Sequence, residues 1–159
     1  TPHDKCPLDH LPPVLLWEAN VPNIVTTAGL NKLIDATFVT GLTTPAWFVG
    51  LVDNASFSAY NAADTMASHA GWLESAAYSD ATRRSFTPGS VSGGSVNNSA
   101  SKAVFNINAT ATIRGAFMVD NSTKSGTTGT LYGEADFSGG SRAVVSGDTL
   151  NVTVTPSVS

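Results

Sequence analysis

The chain has 159 residues, of which 42% are apolar and only 13% are charged, and its formal net charge is −4. This length fits one ordinary hydrophobic core, since domains usually run to roughly 100 to 150 residues. The eight basic residues are spread along the chain, so the composition argues against direct nucleic-acid binding. We also expect a soluble protein with no membrane contact, because neither a signal-peptide pattern nor a run of 18 apolar residues occurs. The single cysteine, Cys6, excludes an internal disulfide.

The first 23 residues differ in composition from the rest, because they hold five of the eight prolines. Proline fixes φ and lacks a backbone donor, so this segment is predicted to be an extended arm. Its apolar side chains need a partner surface, either on their own domain or on a neighbouring subunit. We take them as the candidate partner interface: Leu8, Leu11, Val14, Leu15, Leu16 and Trp17.

A short helix is predicted directly after the arm. Thr26 or Thr27 can cap it, and Gly41 is expected to end it. Apolar residues then recur at three- and four-residue spacing, which predicts one apolar stripe over about three turns. The stripe consists of Leu30, Leu33, Ile34 and Phe38.

The segment 46–52 is a continuous apolar run of strand length between Pro45 and Asp53, and it predicts a buried central strand. The polar stretch 61–70 is compatible with either a helical turn or a compact loop. Five further strands are predicted in the second half, within 103–108, 111–119, 129–133, 142–145 and 149–155.

Two details of these strands can be tested. In the segment 111–119, Ile113, Phe117 and Val119 share one parity and are expected on one face. The turn 146–148 predicts a hairpin between the last two strands. The pattern as a whole predicts a mainly β fold, an antiparallel β-sandwich of jelly-roll or Greek-key type with one short N-terminal helix. The domain organisation is then an arm, 1–23, followed by a single sandwich domain, 24–159.

A search for catalytic motifs finds no nucleophile elbow, phosphate-binding loop, dinucleotide fingerprint or zinc-protease motif. His69, with Asp64, Ser68 and Glu74 nearby in sequence, could form an acid/base site, but a hydrogen-bonded structural histidine is the simpler interpretation. We therefore predict that the protein is not an enzyme, and we assign no catalytic and no cofactor-binding residue.

The acidic residues and their neighbours raise two further kinds of site, a metal site and a pair of catalytic carboxylates. The N-terminal cluster resembles a set of metal ligands without a fourth ligand, and we assign no metal to it. Aspartates near predicted strand ends are expected to serve as turn residues, although a pair of them at roughly 5 to 10 Å could act in a glycosidase. The cluster is His3, Asp4, Cys6, Asp9 and His10, and the aspartates are Asp53, Asp64, Asp120, Asp136 and Asp148.

Aromatic side chains on β-sandwiches can stack on sugars when they are exposed, which raises a carbohydrate-binding alternative. Trp47 lies inside an apolar run and is predicted to be in the core, and Trp72 is expected to pack rather than bind a ligand. The remaining aromatics considered are Tyr60, Tyr78 and Tyr132.

Several segments together resemble a family of small structural proteins of tailed bacteriophages. They are the run 47–53, the stretch 63–72 with Tyr78-Ser79 and Arg83, and in the second half 103–105, 109–113, 115–117, 126–132 and 147–153. The resemblance covers about residues 28 to 155. It implies a virion component without saying which one, and such components are mostly known without an assigned activity. We expect no cofactor.

Within that class, the low charge and the apolar arm favour a capsid decoration, or cement, protein. The expected partners are the major capsid protein and further copies of the chain, on the capsid surface after synthesis in the host cytoplasm. A tail or fibre-associated protein is the alternative, although no repeat or heptad supports it.

Overall fold

The computed structural model describes residues 24–39 and 45–157. The predicted arm, 1–23, with all six of its candidate interface residues and the N-terminal metal-like cluster, lies outside the described residues, as does Gly41. Within the described residues the fold is mainly β and antiparallel with one short helix, which confirms the predicted fold class.

The described residues form nine strands and one α-helix. Helix α1, Thr27–Ile34, continues as a π-helical segment, Asp35–Val39. The strands are β1 Ile24–Val25, β2 Phe48–Asp53, β3 Glu74–Ser75, β4 Arg84–Ser85, β5 Ala103–Asn106, β6 Ala111–Val119, β7 Leu131–Asp136, β8 Arg142–Val144 and β9 Thr149–Val152.

Seven of these strands form one sheet with the order β1-β7-β6-β2-β3, in which β4 also pairs with β2 and β8 with β6. Strands β5 and β9 form a second, two-stranded sheet. The apolar run that predicts a central strand is β2, which pairs with β6 on one side and with β3 and β4 on the other. The prediction of a buried central strand is confirmed, because Val49, Leu51 and Val52 are inaccessible to solvent.

Two hydrophobic clusters cover the two faces of the large sheet. The inter-sheet cluster joins β2 and β6 to the small sheet, where Leu150, Val152 and Val154 face it as their alternation predicts. The loop-side cluster lies on the opposite face under the connection 54–73. The first contains Val49, Leu51, Tyr78, Phe105, Ile107 and Ile113, and the second contains Val52, Tyr60, Met66, Trp72, Phe117, Val119 and Leu131.

A β-bulge overturns the predicted parity of β6. Val52 pairs with Gly115 but Asp53 pairs with Ile113, so Arg114 is an extra residue on the β6 side. A bulge of this kind changes the face to which the following side chains point. Ile113 therefore lies in the inter-sheet cluster while Phe117 and Val119 lie in the loop-side cluster.

The predicted hairpin between the last two strands is also wrong. The turn itself is present, with Gly147 at φ +98° and the backbone N–H of Val145 donating to Asp148 Oδ2 at 2.9 Å. However, β8 pairs with β6 in the large sheet, whereas β9 pairs with β5 in the small one. The chain therefore crosses from the large sheet to the small sheet at this turn. In the small sheet, β9 buries Val152 in the inter-sheet cluster.

Candidate interaction surface

The aspartates considered as catalytic carboxylates mostly hold turns. Ala55 N donates to Asp53 Oδ1 at 2.6 Å, and Thr130 N donates to Asp120 Oδ1 at 2.6 Å. Asp64 Oδ2 accepts from the backbone N–H of Asn61 and from the indole of Trp72, both at 3.1 Å. These contacts agree with the turn prediction, in which a carboxylate accepts from a nearby backbone N–H.

His69 is built into the packing of the same loop. Its ring stacks on Trp72 with centroids 4.1 Å apart, and Nδ1 donates to the carbonyl oxygen of Trp72 at 3.0 Å. These contacts agree with the structural interpretation of this histidine. Asp136, in contrast to the turn aspartates, accepts from the Tyr60 hydroxyl at 2.9 Å and pairs with Arg114 at 2.7 Å. The contact with Tyr60 fastens the loop 54–73 to the end of β7.

The aromatic side chains are mostly interior. Trp72 and Tyr78 are fully buried, as expected for packing residues. Trp47 departs from the prediction, since it precedes β2 and is only partly buried, with its ring edge-on to Tyr132 at a centroid distance of 5.5 Å. Within the ranges 24–39 and 45–157, Phe38 is the one aromatic side chain that is largely exposed, and the others are buried or half-buried. No flat platform of paired exposed aromatic rings is therefore present there for stacking on a sugar.

Helix α1 is fastened to β7 by its first turn. Thr26 is the N-cap: its hydroxyl accepts from Gly29 N at 3.0 Å and donates to the carbonyl oxygen of Leu131, while its own N–H donates to Tyr132 O at 2.9 Å. A Cβ on Gly29 would lie 2.4 Å from Tyr132 O, so only glycine lets the helix approach the strand this closely. The capping prediction is confirmed, and the buried contact of the helix runs through Gly29.

The predicted apolar stripe faces outward instead of into the core. Leu30 is 47% exposed, Ile34 58%, Phe38 77% and Val39 75%. We call these four residues the apolar row. Isolated exposed apolar residues are common on protein surfaces, but four on successive turns of one helix form a contiguous patch of the kind that marks a contact site.

A groove borders helix α1 at Leu33, the residue before Ile34 of the apolar row. It has a volume of about 220 Å³ and an almost entirely apolar lining that includes Leu33 of α1, Trp47, Tyr132 and the exposed Val91. A second, larger cleft of about 640 Å³ lies between β7 and residues 150–157, and Ile24 and Val25 contribute to its wall. Tyr132 and Met118 line both spaces. The groove and strand β1 are thus close to each other, and helix α1, which carries the apolar row, borders the groove through Leu33.

A buried carboxyl group lies on the other side of β7. Glu134 is 3% exposed, and its carboxylate oxygens make no hydrogen bond of ordinary geometry with the described residues, although the backbone of Asn61 is near enough to lower its pKa slightly. Burial, and secondarily the negative charge of Asp64, raise the pKa of Glu134 to about 8. At neutral pH the side chain is therefore mostly a neutral acid. The sequence offers only a weak signal for it, a single acidic residue between Gly133 and Ala135 in a short β-type run.

A buried ion pair lies at the edge of the large sheet opposite β1, where Glu74 belongs to β3. Arg83 Nη2 lies 2.7 Å from Glu74 Oε2, and the same guanidinium donates to the carbonyl oxygens of Asn121 at 3.0 Å and Gly126 at 2.8 Å. Its Cζ lies 5.1 Å from the centre of the Phe117 ring. Both charged side chains are nearly inaccessible, so the pair ties the loop 121–126 to the core. We find a structural use for every group in this cluster.

The described residues contain no cluster of three or more His, Cys, Asp or Glu side chains placed to hold a metal ion. In the same part of the chain, no helix combines the length and the apolar character that crossing a membrane would require. No protein-family model, curated protein or solved structure matches this sequence.

Proposed function

We propose that this chain is a non-enzymatic structural protein of a tailed-phage virion that binds the outer surface of the capsid and stabilises the head. The observation that carries the proposal is the apolar row, a contiguous apolar surface on a domain whose other large aromatic side chains are mostly interior. A protein that leaves such a patch uncovered has a surface for packing against another protein. The resemblance of residues 28–155 to small phage structural proteins supports the same function.

The arm supplies the second part of the proposed attachment surface. The segment 1–23 carries six large apolar residues, and burying them would add affinity, while a preorganised β domain loses little conformational entropy on docking. The partners are then the major capsid protein and further copies of this chain on the virion. The low content of charged residues, 13%, suits a contact made mainly through apolar and hydroxyl groups.

The test is quantitative mass spectrometry of purified virions from the source phage. A copy number comparable to that of the major capsid protein supports decoration of the shell. A handful of copies per particle contradicts it and favours the tail or fibre alternative, and absence from the particle contradicts the whole proposal.

The carbohydrate-binding alternative predicts a different outcome in a cheap experiment. It requires exposed aromatic rings, and among the described residues Trp72 and Tyr78 are buried. A glycan array with the purified chain is expected to show no binding. A positive spot that is lost on Phe38→Ser would favour host adhesion over decoration.

A further inference from the structure

The apolar row leaves an uncovered surface at a defined place in the fold. It runs along α1 and its π-helical continuation, from Leu30 to Val39. The helix is docked on β7 through Gly29 and Thr26, so this contact leaves the row free. Leu33, on the same helix, lines the apolar groove together with Trp47 and Tyr132.

The chain itself contains a segment of matching size and chemistry. Val14, Leu15, Leu16 and Trp17 are four consecutive apolar residues without a charge. The three Cα steps from Val14 to Trp17 would cover about 10 Å in an extended conformation, at roughly 3.3 Å each. The distance along the helix from Leu30 to Phe38 is about 12 Å at 1.5 Å per residue. The segment and the row are therefore of comparable length, and burying each against the other removes two apolar surfaces from water at once.

The connection between them is short enough to act within one chain. Six residues, 18–23, separate Trp17 from Ile24, and seven extended Cα steps reach at most about 25 Å. Ile24 begins β1, and only Thr26 stands between β1 and α1, so the arm joins the domain beside the helix that carries the row. Short flexible tethers give an effective concentration of the order of millimolar, which favours a chain's own segment over a second copy at micromolar concentration.

We infer that in the free protein Val14–Trp17 pack on the apolar row of the same chain. The contact covers both surfaces before assembly, and binding to a capsid must then displace the arm from the row. The inference concerns the protein in solution and is tested without virions, so it stands or falls separately from the proposed capsid role.

The experiment measures the accessibility of Trp17 in the full-length chain. The contribution of Trp17 is the difference between the fluorescence of the unmodified protein and of Trp17→Phe. Docking on the row predicts a blue-shifted Trp17 emission that acrylamide quenches weakly. The double variant Ile34→Ser/Phe38→Ser, again compared with and without Trp17→Phe, should raise the quenching constant of Trp17 at least twofold.

The matched control is Val145→Ser, which replaces another exposed apolar residue, 52% accessible, in the turn after β8. It should leave the quenching of Trp17 unchanged. Circular dichroism melting verifies that each variant is folded. Sedimentation velocity at about 5 µM should show a monomer.

A second variant tests the contact from the other side. Trp17→Ala leaves the domain untouched and should increase the fluorescence of the apolar dye ANS, because it uncovers the row. Two results would overturn the inference. One is equal quenching of Trp17 in the unmodified protein and in the row variant, and the other is shielding that grows with protein concentration together with a dimer, which would make a second copy the occupant.

Discussion

At the scale of single residues, Glu134 makes the stability of the fold depend on pH. Its pKa is raised to about 8 in the folded protein by burial and then by Asp64, compared with 4.5 for an ordinary glutamate. Between these values the folded chain keeps a proton that the unfolded chain has released. The contribution of Glu134 to stability is therefore fully present below pH 4.5 and falls by up to about 1.4 kcal/mol per pH unit as the pH rises toward 8.

Glu134→Gln should remove this part of the pH dependence, because the amide does not titrate. Urea unfolding at pH 5 and pH 9 measures it. Between these two pH values, the free energy of unfolding of the unmodified protein should fall by a few kcal/mol more than that of the variant. Asp64→Asn is the partner variant, in which the pKa of Glu134 should fall only partway because burial, the larger cause, remains. Equal pH dependence in the unmodified protein and Glu134→Gln would contradict the assignment.

Arg83 and Arg84 are adjacent in sequence and should differ sharply in their contribution to stability. Arg83→Ala leaves Glu74 buried without its partner and should cost about 3–5 kcal/mol in the free energy of unfolding. Arg83→Lys should not restore it, because an ammonium group cannot reach Glu74 and the two carbonyl oxygens in the same geometry. Chemical denaturation gives these values directly.

Arg84→Ala is the control for the same experiment. Its side chain is 38% exposed and pairs with Asp80 at 2.7 Å, so its loss should cost less than about 1 kcal/mol. Similar losses at the two positions would show that burial of the Arg83 pair has been misjudged. The sequence does not reveal this difference, because both residues are arginine and the burial of Arg83 depends on the distant loop 121–126.

At the scale of elements, the close contact of α1 with β7 depends on one glycine. Alanine at position 29 would gain about 1 kcal/mol of helix propensity, but its Cβ would meet the backbone of Tyr132. We expect Gly29→Ala to destabilise the protein by about 1–3 kcal/mol through overpacking. Asn31→Ala, an exposed position in the same helix, should be neutral or slightly stabilising. Thermal unfolding of the two variants distinguishes a packing requirement from simple propensity.

The existence and type of the elements could be predicted because their signals are local. Thr26 as a cap, the apolar run of β2 and the alternation of β9 each depend on a few neighbouring residues, and all are present. Pairing partners could not be predicted in the same way. The turn at Gly147 is compatible with a hairpin, yet β9 pairs with a strand more than 40 residues away in sequence. The bulge at Arg114 likewise becomes visible only when β2 and β6 are placed side by side.

The apolar stripe of α1 shows a further limit. Helical periodicity correctly places Leu30, Ile34 and Phe38 on one side, but it does not say what covers that side. The helical pattern of apolar residues also gives no sign that Gly29 provides the buried contact of α1 with β7. The candidate surface was therefore visible in the sequence as a pattern, and its exposure was not.

At the scale of the whole molecule, the arm and the domain should be separable in function. Deleting residues 1–20 should leave the melting transition nearly unchanged, because the described core is built from residues after Ile24. The same deletion should abolish binding to capsids in a co-sedimentation assay with particles that lack the protein. A deletion that unfolds the domain would show that the arm belongs to the core. The sandwich arrangement and the boundary of the arm at residue 23 stay predictions.

The margins of the large sheet are made of very short strands: β1, β3 and β4 have two residues each, and β8 has three. An unpaired strand edge can template backbone pairing with another molecule, and a two-residue edge offers almost no ladder to extend. Copies held side by side at high local density would thus have little opportunity to join their backbones at these margins of the large sheet. Contacts made there would depend on side chains.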